Sequence, residues 1–162
     1  MTIKLIQNCY NKDAILSLLS ELTTTPPLDD YTYNKIINAV TYNNFHNIFV
    51  YIIDDKPVGM ITTIIEQKLI HGGKCVAHIE DLIVDKEFRN RGVAKELLNH
   101  VIRYINSQNC YKIILNCKKE LIPFYNKYQF KEECVQMRHN INDNNVEYEN
   151  ENDEKKNENV SS

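Results

Sequence analysis

A loop rich in cations, 85–92, joins a predicted strand to a predicted helix. The loop carries Arg89 and Arg91 and ends at Gly92. The first N–H groups of a helix have no partner within the helix and lie at the positive end of its dipole, so this arrangement binds anions. Gly92 lets the backbone approach a phosphate closely, and Ala94 leaves room in the first turn. The segment predicts a phosphate site; solvated arginines beside a helix-start glycine are the alternative.

Two adjacent acids, Glu80 and Asp81, stand near the end of the strand before this loop. Side chains of adjacent strand residues point to opposite faces unless a bulge re-aims one of them. Carboxylates accept protons from hydroxyl and ammonium groups, so the pair could hold a ligand that carries both. An acid pair at a strand end with no ligand is the alternative interpretation.

Tyr125 lies in a predicted short helix, within the run Phe124-Tyr-Asn-Lys-Tyr-Gln-Phe130. A phenol O–H beside a leaving group can hydrogen-bond to it or protonate it, and such help contributes on the order of 10²–10⁴-fold to a rate. Packing in an aromatic core is the alternative for a tyrosine with these neighbours. Cys110 and Cys117 are interpreted as structural, because a nucleophilic cysteine needs a nearby base and an exposed setting. A base from His71, His78 or Glu80 would keep a cysteine route open.

The elements that must position these residues follow from hydrophobic periodicity. The longest amphipathic helix is predicted at 93–106, and Pro26 and Pro27 stop the first helix. The order β-α-α-β-β-β-α-β-α-β predicts an α/β fold with a mixed sheet. The predicted strands are 3–7, 48–53, 58–67, 74–84, 109–115 and 130–137, and the predicted helices are 13–22, 31–42, 93–106 and 121–128.

Length and composition restrict the class of protein. The chain has 162 residues, of which 43% are hydrophobic, and this suits one domain with a sizeable core. No apolar run reaches the 18 or so residues of a membrane helix, and the N-terminus lacks a signal-peptide pattern. The cysteines form no CxxC pair, so neither a zinc site nor a disulfide framework is predicted. They are interpreted as buried thiols of a cytoplasmic protein: Cys9, Cys75, Cys110, Cys117 and Cys134.

Charge is unevenly distributed along the chain. Residues 143–162 carry seven acidic and two basic side chains, which leaves +2 on residues 1–142 out of a total of −3. The tail has too few apolar residues to offset the entropy of ordering, so 143–162 is predicted to be disordered and 1–142 to be the folded domain. A body at +2 is too weakly basic for nucleic acid to be the expected partner. It suits an anionic small ligand held by a few placed cations.

The spacing Arg89-x-x-Gly92-x-Ala94 resembles the acetyl-CoA signature (Q/R)-x-x-G-x-(G/A) of the GCN5-related N-acetyltransferase superfamily. This resemblance implies a mixed, mostly antiparallel sheet, flanked by helices and splayed at a bulge in a central strand. It implies acetyl-CoA as co-substrate and no metal. The residues that it assigns to cofactor binding are Leu82, Ile83 and Val84 for the acetyl carbonyl and pantetheine arm; Arg89, Asn90, Arg91, Gly92, Val93, Ala94 and Lys95 for the pyrophosphate; and Tyr125 and Lys127.

Four further segments, together, resemble the eukaryotic glucosamine 6-phosphate N-acetyltransferase family over roughly residues 5–137. They are Glu66-Gln-Lys-Leu-Ile-His71, His78-Ile-Glu-Asp-Leu-Ile-Val84, Asn109-Cys-Tyr-Lys-Ile-Ile-Leu-Asn-Cys117 and Phe124-Tyr-Asn-Lys-Tyr-Gln-Phe130. The resemblance implies that Tyr125 assists the leaving CoA thiolate and that Asn116 orients the amine through its backbone carbonyl. The implied substrate-binding residues are Thr23, Lys68, Leu69, Ile70, His71, Glu80, Asp81, Tyr111, Lys112 and Arg138.

Two positions depart from the family's pattern. Asn116 replaces an aspartate, so a backbone role survives but a carboxylate contact with an ammonium is lost. Asn140 replaces an arginine that meets the sugar phosphate. Arg138 lies two residues earlier, on the same face of a continuing strand, and is the expected substitute.

The expected reaction is acetyl transfer from acetyl-CoA to D-glucosamine 6-phosphate by direct attack in a ternary complex. Its products are N-acetyl-D-glucosamine 6-phosphate and CoA, a step toward UDP-N-acetylglucosamine, in a cytoplasmic homodimer as the family implies. Acetylation of a polyamine or a protein amine is one alternative. A non-catalytic acyl-CoA-binding module is the other, although such a module would not need a tyrosine at position 125.

Overall fold

A computed structural model describes residues 1–6 and 11–141 of the chain. Five strands in these ranges form a single sheet in the order β1-β2-β3-β4-β5. The first four are antiparallel neighbours, and β5 runs parallel to β4. This confirms the expected mixed, mostly antiparallel sheet. The strands are β1 (Thr2–Leu5), β2 (His46–Ile53), β3 (Lys56–Gln67), β4 (Cys75–Val84) and β5 (Cys110–Leu115).

Four helices connect and cover the strands, and local signals set their ends. Asn11 caps the first helix by accepting the Asp13 N–H at 2.8 Å, and Asp29 caps the second by accepting the Thr32 N–H at 2.6 Å. Such caps satisfy amides that the helix itself leaves unpaired. In the described part of the chain, no helix is long and apolar enough to cross a membrane. The helices are α1 (Lys12–Ser20), α2 (Asp30–Thr41), α3 (Val93–Asn106) and α4 (Ile122–Asn126).

The helices divide between the two faces of the sheet. One face carries α3 and the α4 residue Tyr125, which pack with Ile61, Ile79 and Val84. The other face carries α1 and α2, which pack with Val50, Ile52, Met60 and Ile83. Further along that second face the strand residues turn polar: Glu66 of β3 and His78 and Glu80 of β4, which we call the polar half-face.

The sheet opens at a bulge in β4. Met60 pairs with Ile83 and Thr62 with Glu80, so a single β3 residue faces both Asp81 and Leu82. Asp81 has a φ of +50°, the left-handed backbone that a bulge of this kind uses. On the other side, the pairing of β4 with β5 ends at Ile79 and Leu115, so the two strands part where the bulge begins. The expected splayed strand is confirmed.

Close packing of α3 on β3 brings the cation-rich loop to this opening. A Cβ on Gly59 would lie 2.8 Å from Val93 Cγ1 and 3.0 Å from Leu97 Cδ1. Real side chains do not approach so closely, so glycine at this position lets α3 lie against the sheet. The packing fixes the first turn of α3, and with it Gly92, beside the C-terminal end of β4.

Two expectations are corrected. The prediction of a strand at 130–137 is wrong. The described residues 130–141 contain no strand and are exposed from Lys131 onward. A strand needs a neighbouring strand to pair with, and none pairs with this segment among the described residues. The burial predicted for the cysteines is wrong for two of them. Cys117, just after β5, and Cys134, in the C-terminal segment, are both exposed. Cys9 and the tail 143–162 lie outside the described residues.

Candidate active site

The cation-rich loop presents an open helix start. Gly92 is the N-cap of α3 with a φ of +86° and no side chain to accept a hydrogen bond. The Glu96 N–H bonds to the Gly92 carbonyl at 3.0 Å, so the amides of Val93, Ala94 and Lys95 precede the helix's own ladder and remain for a ligand. A Cβ on Gly92 would meet no described atom within 4 Å. The loop therefore has room for a phosphate close to its backbone.

The two loop arginines differ in their surroundings. The Arg89 guanidinium donates to the Val84 carbonyl at 3.0 Å and to the Glu21 carboxylate at 3.1 Å. Arg91 lies over the Phe88 ring, 5.3 Å from its centroid. Arg89 thus ties the loop to β4 and to the end of α1, whereas Arg91 remains exposed beside the helix start. Asn90, between them, has a φ of +60°.

The parting of β4 and β5 ends the pairing between these two strands at the centre of the sheet. Leu82, Ile83 and Val84 belong to the part of β4 beyond its last paired residue on the β5 side. Asn116 is the first residue after β5 and is exposed across the gap from Glu80. A cleft with a strand edge on one side and a strand end on the other can admit an extended ligand arm that bonds to backbone groups.

Glu80 lies in the polar half-face at the mouth of this cleft. Partial burial raises the pKa of its carboxyl group, and the nearby Asp81 raises it further, while His78 acts in the opposite direction. A carboxylate with a raised pKa binds a proton more readily than an ordinary glutamate. Asp81 itself is exposed, since the bulge turns it away from the sheet.

Tyr125 is buried on the opposite face, with 8% of its surface exposed. Its ring makes edge contacts with Phe124 at 5.0 Å and Phe130 at 6.0 Å between centroids. Burial raises the pKa of its phenol, and the neighbouring Cys117 thiol adds to this effect. The hydroxyl therefore stays protonated at neutral pH, as a hydrogen-bond donor must. Lys127, two residues later, is exposed at the end of α4.

The residues expected to meet the sugar phosphate gather at the other end of β4. The His71 and Tyr111 rings lie 4.1 Å apart between centroids, and the Lys112 ammonium lies 5.9 Å from the Tyr111 ring. Lys112 is in register with Val76, four residues before Glu80, or about 13 Å along the strand at roughly 3.3 Å per residue. Within one chain this cluster and Glu80 are therefore attached at well-separated points of the sheet.

The remaining predicted residues lie on the surface. Leu69 is fully exposed and Ile70 is 63% exposed, in the turn that leads to His71. Thr23 is exposed after α1, where its N–H bonds to the Leu19 carbonyl at 3.3 Å. Arg138 lies in the exposed C-terminal segment, where its guanidinium bonds to Asn140.

Two pairings were missed by the sequence reasoning. Glu21 contacts Arg89 across 68 positions of the chain, and no local pattern signals such a contact. Glu66 contacts both Lys68 and His78, the latter at 3.2 Å. The sequence predicts no pairing between Glu66 and His78, and names His78 only as a possible base for a cysteine, although the shared sheet face of two neighbouring strands was a usable signal.

Comparison with known proteins gives consistent matches. Residues 12–130 match the model of the acetyltransferase (GNAT) family. A Trypanosoma brucei brucei protein named glucosamine 6-phosphate N-acetyltransferase is 33% identical over 127 residues, which cover 76% of this chain and 84% of that protein. The crystal structure of a Trypanosoma brucei acetyltransferase matches with a TM-score of 0.81 at 29% identity, covering 86% of this chain and 99% of that one. The structure of glucosamine-6-phosphate N-acetyltransferase from Arabidopsis thaliana matches with a TM-score of 0.78 at 26% identity, over 88% of this chain and 100% of that one.

Proposed function

We propose that this chain acetylates the amine of D-glucosamine 6-phosphate. The premise is that it belongs to the acetyltransferase (GNAT) family and, within it, to the glucosamine 6-phosphate N-acetyltransferases. Acetyl-CoA is the donor, and the products are N-acetyl-D-glucosamine 6-phosphate and CoA. The observation that carries the proposal is the parting of β4 from β5 at the Asp81 bulge. It leaves Glu80 and the strand edge at 82–84 beside one gap, which Tyr125 would reach from the opposite face of the sheet.

The cofactor would lie along this cleft. The amides of Val93, Ala94 and Lys95 suit its diphosphate, and Arg91 is the exposed cation beside them. Arg89 holds the loop in place through its hydrogen bonds. The unpaired edge at 82–84 suits the pantetheine arm and the acetyl carbonyl, because an N–H aimed at the thioester oxygen stabilises the charge that develops there.

Acetyl transfer then needs a neutral amine and a stabilised leaving group. Glu80 would accept a proton from the substrate ammonium, a role for which its raised pKa suits it. The Asn116 carbonyl would orient the amine as its nitrogen bonds to the acetyl carbon. The C–S bond breaks, the Tyr125 hydroxyl donates a hydrogen bond to the departing thiolate, and the thiolate takes up the second proton of the new amide nitrogen and leaves as CoA. Asp81 and Thr23 would contact the sugar.

We further propose that the active enzyme is a homodimer. Two observations support this: the distance of the Lys112 cluster from Glu80 in one chain, and an exposed C-terminal segment with apolar side chains at Val135, Met137 and Ile141. In a dimer, Lys68, Leu69, Ile70, His71, Tyr111, Lys112 and Arg138 would serve the sugar at the partner's Glu80. Sedimentation velocity should give twice the mass of the 19.0 kDa chain; a monomer with full activity would contradict the proposal.

The free Cys75, Cys110, Cys117 and Cys134 support placing the enzyme in a reducing compartment, the cytoplasm. Its product would feed UDP-N-acetylglucosamine synthesis.

An acceptor panel tests the function. The full chain is mixed with acetyl-CoA and either glucosamine 6-phosphate, glucosamine, spermine or a lysine peptide, and released CoA is measured with a thiol-reactive dye. We expect turnover with glucosamine 6-phosphate and far less with the unphosphorylated sugar. Turnover with spermine or the peptide alone would assign another substrate. CoA binding without any turnover would make the chain a binding module.

A further inference from the structure

The polar half-face contains a continuous row of titratable groups that the proposed function leaves unused beyond Glu80. Glu66, His78 and Glu80 share one face, because Thr62 pairs with Glu80, Ile64 with His78 and Glu66 with Val76. Residues two apart on one strand lie about 7 Å apart. His78 therefore stands between Glu66 and Glu80, within side-chain reach of both.

The contacts of His78 show which of its ring nitrogens lies next to Glu66. Its Nε2 lies 3.2 Å from a Glu66 carboxylate oxygen, so Nδ1 is the nitrogen that remains for the side of Glu80. The Lys68 ammonium contacts the other Glu66 oxygen. Lys68 and His78 lower the pKa of the Glu66 carboxyl, so Glu66 stays ionised and can stabilise an imidazolium. His78 and Glu66 are partly exposed, with 29% and 46% of their side-chain surfaces accessible, so the row leads from the cleft to water.

We propose that His78, held by Glu66, is a positioning residue that takes from Glu80 the proton released by the attacking amine and passes it to solvent. This inference rests on the proposed acetyl transfer and deepens it. The substrate ammonium gives one proton to the Glu80 carboxylate, and its freed lone pair forms the new N–C bond as the C–S bond to CoA breaks. The second proton of that nitrogen goes to the departing thiolate, which leaves as CoA. Glu80 then passes its proton to the His78 ring, directly or through one water, and is a carboxylate again for the next cycle.

Charged groups on both sides of His78 fit this role. On its own strand it faces Glu80, with Asp81 beyond. Across β3 it faces Glu66 and, through Glu66, Lys68. Across β5 its register partner is the uncharged Ile114, with Lys112 two pairs away. Carboxylates of Glu66 and Glu80 therefore lie on two sides of the ring, at the two ends of the proposed path.

The test uses the full chain with His78→Ala, which removes the relay and leaves space at the ring position. We expect kcat with glucosamine 6-phosphate to fall by about tenfold or more, with little change in KM for acetyl-CoA. Added imidazole should restore part of the rate, in proportion to its unprotonated fraction. His78→Gln, which keeps most of the volume but does not titrate, should be equally slow and should not be rescued.

The matched control is His46→Ala. His46 lies on the same face, in register with Ile64 on the far side of β3, and its loss should leave kcat unchanged. A slow His78→Ala that imidazole fails to rescue would show a merely structural role and overturn the inference, as would an unchanged kcat. Absence of turnover in the unaltered chain is a different result, since it would reject the proposed function itself.

Discussion

Tyr125→Phe should lower kcat by on the order of 10²–10⁴-fold and leave the dissociation constant of acetyl-CoA nearly unchanged. The change removes one hydroxyl from a ring that is otherwise buried among Phe124 and Phe130, so packing is preserved. The lost group is a phenol whose raised pKa keeps it protonated, and its donation matters only as the C–S bond breaks. Steady-state kinetics and calorimetric CoA binding together separate the two effects.

Tyr128→Phe is the matched control for this prediction. Tyr128 lies three residues later and packs against the same Phe124, with 5.4 Å between ring centroids. The proposed mechanism gives its hydroxyl no role, so kcat should stay within about twofold of that of the unaltered enzyme. If Tyr125→Phe leaves kcat unchanged, or if both variants lose rate equally, Tyr125 is a core residue and not the leaving-group donor.

Glu80→Gln should reduce kcat/KM for glucosamine 6-phosphate by on the order of 10²-fold or more, because an amide cannot accept the amine proton. The pH profile provides a second readout. A base must be ionised to act, and burial and Asp81 raise the pKa of Glu80, so the rate of the unaltered enzyme should decline on the acid side at a pH above the ordinary range of glutamate. That acid limb should be absent from the residual rate of the variant.

Glu120→Gln serves as the control, since Glu120 is exposed in the short turn before α4. It should change neither the rate nor the profile. An acid limb that persists unaltered in Glu80→Gln would assign the base to another group.

Local patterns predicted most of the fold. The helix expected at 93–106 is α3 with the same bounds, since its apolar stripe and Gly92 start are both local signals. The strand expected at 130–137 fails for a physical reason: alternation around Val135 and Met137 describes a strand, but a strand exists only where another edge pairs with it. The β4 bulge was expected through resemblance alone, because no residue type near Asp81 demands it.

The candidate site likewise divides into residues that short-range sequence signals predict and contacts that they do not. Gly92 and Tyr125 could be singled out from their own segments, because a helix start and an aromatic motif are short-range features. The contact of Glu21 with Arg89, and that of Glu66 with His78, depend on how distant segments are brought together. The distance between the Lys112 cluster and Glu80 likewise depends on the parallel register of β5 against β4.

Acetyl transfer to glucosamine 6-phosphate is tested most directly by tracing a labelled acetyl group. The full chain is incubated with acetyl-CoA labelled with carbon-13 in the acetyl group and with glucosamine 6-phosphate, and the product is analysed by NMR and mass spectrometry. We expect one labelled product, N-acetyl-D-glucosamine 6-phosphate, formed together with an equal amount of free CoA. Label that stays on CoA, or that passes only to water, would contradict it.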